Sequence, residues 1–167
     1  MERDANMTEP ADPSAVTIEP ADPAGETAQK LINELCQELS GRYGVAPSPF
    51  SPSEAQMPRT IFLIARNGSQ PVGCAAIRQI DDNTAEVKRM YVAVGARRLG
   101  IGRRVLAELE RFANEFGYRI LRLETGNRQP EAIALYENHG FHRIPPFGRY
   151  VGNPVSVCFE KQIETVT

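Results

Sequence analysis

Apolar residues recur along this chain with two different periods, and the changes between them mark its elements. From position 24 to 41, Ala28, Leu31, Ile32, Leu35, Cys36 and Leu39 fall three and four apart, which predicts an amphipathic helix with Gly41 as its C-terminal stop. A short strand over 15–19 precedes it. Residues 60–66 (TIFLIAR) and 72–80 (VGCAAIRQI) read as strands, and Asn67-Gly68 between them is a hairpin signal. Asp81, Asp82 and Asn83 turn the chain into a third strand, 85–94. The period then lengthens. Ile101, Val105, Leu106, Leu109, Phe112, Ala113 and Phe116 line one face of a helix, with Arg103, Arg104, Glu108, Arg111 and Glu115 opposite and Gly117 at its end. A strand over 119–124 follows, and a strand–helix–strand unit of this length implies parallel pairing through a right-handed crossover. The chain closes with a helix over 129–139, with Pro130 in its first turn and Gly140 after it, and strands over 141–144 and 155–161. Four prolines make 44–58 a loop or a broken helix. The order predicts one α/β domain of three layers around a mixed, mostly antiparallel sheet.

Composition narrows the partners. At 167 residues, 41% apolar and 24% charged, the chain suits one ordinary globular domain: 14–163, after a disordered acidic leader over 1–13 and before a short tail over 164–167. The net charge of −2 gives no general attraction to nucleic acid or an anionic membrane, and no apolar run is long enough to span one. Residues 1–28 hold seven acids and one base, which leaves 18 bases against 14 acids in the remainder. A mildly basic body suits an anionic ligand. Three scattered cysteines, Cys36, Cys74 and Cys158, read as reduced thiols, and no leader carries a signal-peptide core, so the expected location is the cytoplasm. No cluster of His, Cys or acids has metal-ligand spacing.

The segment from Gly95 to Arg104 (GARRLGIGRR) opens the second helix. Backbone N–H groups at a helix start have no partners of their own, the helix dipole adds positive potential, and Gly100 and Gly102 let an anion come close. This is a phosphate cradle. A P-loop would need Lys-Ser or Lys-Thr after the glycine, and Arg103-Arg104 stands there instead. A dinucleotide fold would need a third glycine where Val105 lies, although Glu124 ends the next strand where a ribose-binding acid belongs.

Arg97-x-x-Gly100-x-Gly102 resembles the Gln/Arg-x-x-Gly-x-Gly/Ala motif of the GNAT N-acetyltransferases. AEVKRMYV resembles that family's fourth strand, LYENHGF (135–141) its late motif, and Asn127 its asparagine after the fifth strand. The resemblance covers about residues 60–163, and the ending IPPFGRYVGNPVSVCFEK is similar to a bacterial subgroup acting on small molecules. It implies a sheet splayed between its fourth and fifth strands, with acetyl-CoA as co-substrate and no metal. Met90, Tyr91 and Val92 would offer backbone groups to the pantetheine arm and thioester carbonyl. Arg97, Arg98, Leu99, Gly100, Ile101, Gly102 and Arg103 would hold the pyrophosphate, and Asn127 the arm. Glu86, 11 positions before Arg97, is the expected general base, with Glu124 a second candidate. Tyr136 is the expected proton donor to the leaving sulfur.

The resemblance implies direct acetyl transfer to a primary amine, of a small molecule or an amino acid. Protein N-termini or lysines are the alternative acceptors, and a CoA-binding sensor without chemistry is the non-enzymatic one. Tyr43, Phe50, Phe147, Arg149 and Tyr150 are candidates to line the acceptor pocket, with Arg149 or Arg59 for an acceptor carboxylate. Nucleic acid and membrane partners are not expected; a homodimer is compatible with the pattern.

Overall fold

The computed structural model describes residues 15–44 and 56–163. Seven strands form one sheet: β1 (Val16–Pro20), β2 (Ile61–Asn67), β3 (Gln70–Gln79), β4 (Thr84–Val92), β5 (Ile120–Gly126), β6 (His142–Ile144) and β7 (Ser156–Gln162). Among the described residues, three α-helices accompany them: α1 (Glu26–Tyr43), α2 (Ile101–Glu115) and α3 (Pro130–Asn138). Strand order is β1-β2-β3-β4-β5-β7-β6. Neighbours are antiparallel except β4 and β5, which run parallel across the α2 crossover. The final strand inserts between β5 and β6, a rearrangement that local pattern does not disclose.

The helical stripes bury as their spacing requires. Ala28, Leu31, Ile32 and Leu35 of α1 pack on Phe62, Ile64, Cys74, Ala76 and Tyr91 on one face of the sheet. Ile101, Val105, Leu106, Leu109 and Ala113 of α2 pack on Leu63, Val87, Leu121, Leu123 and Phe159 on the other, together with Tyr136 of α3. Each fully buried Leu or Ile contributes about 1.5–3 kcal/mol of transfer free energy.

Two boundaries differ from the sequence expectation. Helix α1 runs past Gly41 to Tyr43, and Gly44, at φ 71°, takes the left-handed cap with its N–H on Ser40 O. The extra turn is held from outside: Arg42 and Tyr43 bond the chain at 128–131. Strand β4 stops at Val92, because Val94–Ala96 forms a 3-10 turn.

Candidate active site

Strands β4 and β5 pair only from Thr84 and Ile120 to Val87 and Leu123, and then part. The separation begins at a bulge. The β3–β4 register shifts between Cys74 and Ala76, and Arg89 opposite it adopts φ 57°, a costly conformation for a side-chain-bearing residue. One extra residue reverses the alternation. Glu86 and Lys88 precede the bulge on the α1 face, and Tyr91 returns to that face, while Met90 and Val92 join the α2 side. Ala93 N–H donates to Val72 O, so antiparallel alternation turns Tyr91's backbone groups toward β3 and those of Met90 and Val92 toward the fork. Gly73 allows this close crossing, since a Cβ there would lie 2.7 Å from Tyr91 O.

A cleft of about 590 Å³ opens from the fork to the start of α2. Arg98 and Gly100 both take left-handed conformations, φ 66° and 76°, and curl the loop into the helix. Arg104 N–H bonds Gly100 O, which leaves the N–H groups of Ile101, Gly102 and Arg103 as helix-start donors without intrahelical partners. Gly102 is small for a packing reason: a Cβ would stand 3.1 Å from Leu135 Cδ2 and 3.6 Å from Met90 Cε, across the cleft.

The four arginines divide their work. Arg97 donates through Nε to Val92 O (2.9 Å) and through a terminal nitrogen to Glu38 (2.6 Å), tying the loop to β4 and α1. Arg104 donates to Val16 O, at the sheet edge. Arg98 and Arg103 line the cleft and are exposed. Arg42 joins Glu38 (3.0 Å) to Glu131 (2.5 Å), so an ion-pair chain links α1, the loop and α3 along the rim.

Acid–base groups gather on the α1 face at the fork. Glu86 is 1% exposed, accepts from Arg78 Nε (3.1 Å) and a terminal Arg78 nitrogen (3.0 Å), and accepts the Tyr150 hydroxyl at 2.6 Å. Lys88 Nζ lies 3.1 Å from the Tyr150 hydroxyl and 3.9 Å from Glu86. Burial lowers the Lys88 pKa below the ordinary lysine value, partly offset by Glu86. Glu124 is half-buried on β5; burial raises its carboxyl pKa, against the pull of Lys88. Tyr136 stands on the cleft wall with its ring against Phe141 and Phe159, and burial pushes its hydroxyl pKa far up, so it stays protonated.

Of the residues expected from sequence, Met90, Tyr91, Val92, Arg97, Arg98, Gly100, Ile101, Gly102, Arg103 and Tyr136 line one cleft. Leu99 packs against the core instead. Asn127 is exposed at the end of β5, and its N–H donates to Val155 O. Glu86 lies behind Tyr150, outside the cleft. Tyr43 is drawn to the β5–α3 turn: it accepts from Arg128 N–H, and Gly126 lacks the Cβ that would fall inside its hydroxyl. Arg59 is spent far away, on Phe116 O, Asp82 O and the Tyr118 ring. Phe50 lies outside the described residues. The sequence reading missed Lys88, Arg78 and Glu38. Period-two placement of Glu86 and Lys88 on one face was the available signal for the first.

The cleft therefore has donors and exposed arginines at one end, strand N–H groups in the middle and a protonated tyrosine beside the fork. A pyrophosphate, an amide-bearing arm and a thioester fit these parts in order, as acetyl-CoA carries them. The profile of the acetyltransferase (GNAT) family matches residues 28–141, and the chain belongs to that family. An IAA acetyltransferase of Azospirillum brasilense is 37% identical over 150 residues, covering 89% of this chain and 98% of the relative. An uncharacterized N-acetyltransferase of Bacillus subtilis is 33% identical over 64% of this chain and 72% of its own. Among solved structures, a Klebsiella pneumoniae protein assigned as an acyl-CoA N-acyltransferase superposes with TM-score 0.76 at 31% identity, covering 89% and 98% of the two chains. A GNAT family acetyltransferase of Elizabethkingia anophelis with acetyl-CoA bound shares the fold, at TM-score 0.65 and 19% identity over 89% and 98%. The chain is an N-acetyltransferase. Among the described residues, no helix is long and apolar enough to cross a membrane.

Proposed function

We propose that this enzyme moves the acetyl group of acetyl-CoA directly to the primary amine of a small molecule, in the cytoplasm. The observation that carries the reading is the fork itself: the N–H groups of Met90 and Val92 face the gap, beside a half-buried carboxylate, Glu124, whose proton affinity is raised by burial. Bound there, the thioester supplies an acyl carbon and a thiolate leaving group.

The remaining work belongs to the chain. An N–H of Met90 or Val92 is positioned to hold charge developing on the carbonyl oxygen, as a fixed dipole does. Glu124 takes the proton from the attacking amine, because it is the carboxylate at the fork that is not already filled with donors. Glu86, expected from spacing as the base, has both oxygens committed to Arg78 and Tyr150, and its proposed part is to hold Tyr150 and Lys88 in place. Tyr136 keeps its proton at working pH and passes it to the leaving sulfur. The A. brasilense relative, named for acetylating IAA, supports a small acceptor.

A screen of amines with acetyl-CoA, read as free thiol release, tests the reading. Turnover of small amines without turnover of peptides is expected; acetylation confined to protein N-termini or lysines would replace the acceptor assignment. A melting shift with CoA and none with NAD(H) or ATP checks the cleft.

A further inference from the structure

Lys88 and Glu124 stand one step beyond the last paired rung of β4 and β5. Val87 opposes Leu123 there, so the next residues on each strand face each other across the opening gap. Both lie on the α1 face, since Val87, Leu121 and Leu123 occupy the other. Two neighbouring charge pairs on that face are already matched: Arg78 with Glu86, and Arg122 with Glu160 at 2.7 Å. Lys88 pairs only at long range, with a carboxylate that it shares with Arg78 and Tyr150. That group, Glu86, is 3.9 Å away and receives two N–H groups and a hydroxyl from others. The ammonium has three donors, and its closest hydrogen-bond contact is the Tyr150 hydroxyl oxygen at 3.1 Å. A mostly buried cation left in this state favours an anionic partner. Arg149 adds positive potential from the loop above, 3.3 Å from the same hydroxyl.

We infer that the acetyl acceptor is an amino acid, a small amine carrying a carboxylate on a neighbouring carbon, with the carboxylate held by Lys88 and the amine directed to Glu124. This rests on the acetyltransferase reading above. The two strands place one cation and one proton acceptor across a single gap, and an α-amino acid carries one group for each. The edge-on pair of Phe147 and Tyr150 (5.3 Å between centroids) walls the site and gives an apolar side chain a surface.

The test compares matched acceptors: phenylalanine against phenethylamine, and leucine against isopentylamine, each with acetyl-CoA and thiol release as readout. Wild type should prefer the acids by roughly 10²-fold in kcat/KM, because a site built to bind the carboxylate leaves a buried charge unpaired with the analogue. Lys88→Met should erase the difference between the two series, mainly through KM for the acids, and Lys88→Arg should restore part of it. An unchanged CoA-induced melting shift shows that the variants fold and keep the cleft. Equal turnover of amines and acids by wild type would overturn the carboxylate site and leave the transferase reading standing. So would a preference that survives Lys88→Met. No thiol release with either series, together with no melting shift from acetyl-CoA, would overturn both.

Discussion

The Tyr150 hydroxyl donates to Glu86 at 2.6 Å, and this bond pins the loop between β6 and β7 onto the face of β4. Loss of the carboxylate charge would leave the Arg78 guanidinium and the Lys88 ammonium facing a neutral group. Glu86→Gln is therefore expected to destabilise the fold by about 1–3 kcal/mol, seen as a lower urea midpoint at unchanged slope. Tyr150→Phe removes the bond donated to Glu86 and the oxygen that accepts from Lys88 and Arg149, and the expected loss is about 1–3 kcal/mol. If Glu86 is instead the base, Glu86→Gln will also show activity that recovers at high pH.

Glu124→Gln should act in opposite directions on rate and stability. General-base loss predicts a fall of roughly 10²-fold in kcat/KM, partly regained as pH rises and the amine deprotonates unaided. The folded-state pKa of Glu124 lies above its unfolded value, so its contribution to stability is fullest at low pH and is lost as pH rises through the folded pKa. At pH 7 the buried charge is a burden, and the amide should raise the melting temperature by roughly a degree or two. At pH 4 the two proteins should melt nearly together. Calorimetry across pH 4–8 checks the sign.

Gly100 and Gly102 should fail in different ways. Gly100→Ala places a Cβ in open space at φ 76°, so the expected cost is about 1–2 kcal/mol of backbone strain with moderate loss of CoA binding. Gly102→Val pushes Leu135 and Met90 from both walls of the cleft, and CoA affinity should fall by at least roughly tenfold with a smaller change in stability. Calorimetric titration with CoA, paired with melting curves, separates the two.

Tyr136→Phe keeps the ring that packs on Phe141 and Phe159 and removes the hydroxyl alone. The fold should persist, and kcat should drop at all pH values below the leaving thiol's own pKa. Above it the variant and wild type should converge, since the thiolate then leaves without a proton. A pH–rate profile decides.

Much of the fold was legible because each stripe or alternation reports a face that must be buried. Ile101 to Ala113 announced α2, and Asn67-Gly68 announced the hairpin, through short-range chemistry alone. The cradle was legible for the same reason: glycines and a helix start are adjacent in sequence. What escaped is set by distant partners. Arg97 and Arg104 look alike in the motif, yet Glu38 and Val16 O claim them from elements 59 and 88 residues away. Glu86 looked like an open carboxylate because Tyr150, 64 positions later, cannot be seen from β4. Gly41 looked like the end of α1, and contacts from Arg128 and Glu131 carried the helix one turn further.

The bulge at Arg89 has an evolutionary consequence. A strand with an even alternation carries one phase from end to end, so any slip would swap every inward and outward residue together. Here β4 contains a phase slip, and its two halves are separately keyed: Glu86 and Lys88 answer to the loop at 147–150, while Met90 and Val92 answer to α2. On the proposed assignment, acceptor preference can drift by substitution in the first half without disturbing the cofactor half. Deletion of Arg89 would restore an even alternation with Met90 and Val92 still on the α2 side and Tyr91 still on the α1 face, but it would remove the bulge at which β4 bends away from β5. The cleft, rather than the core, should bear that loss.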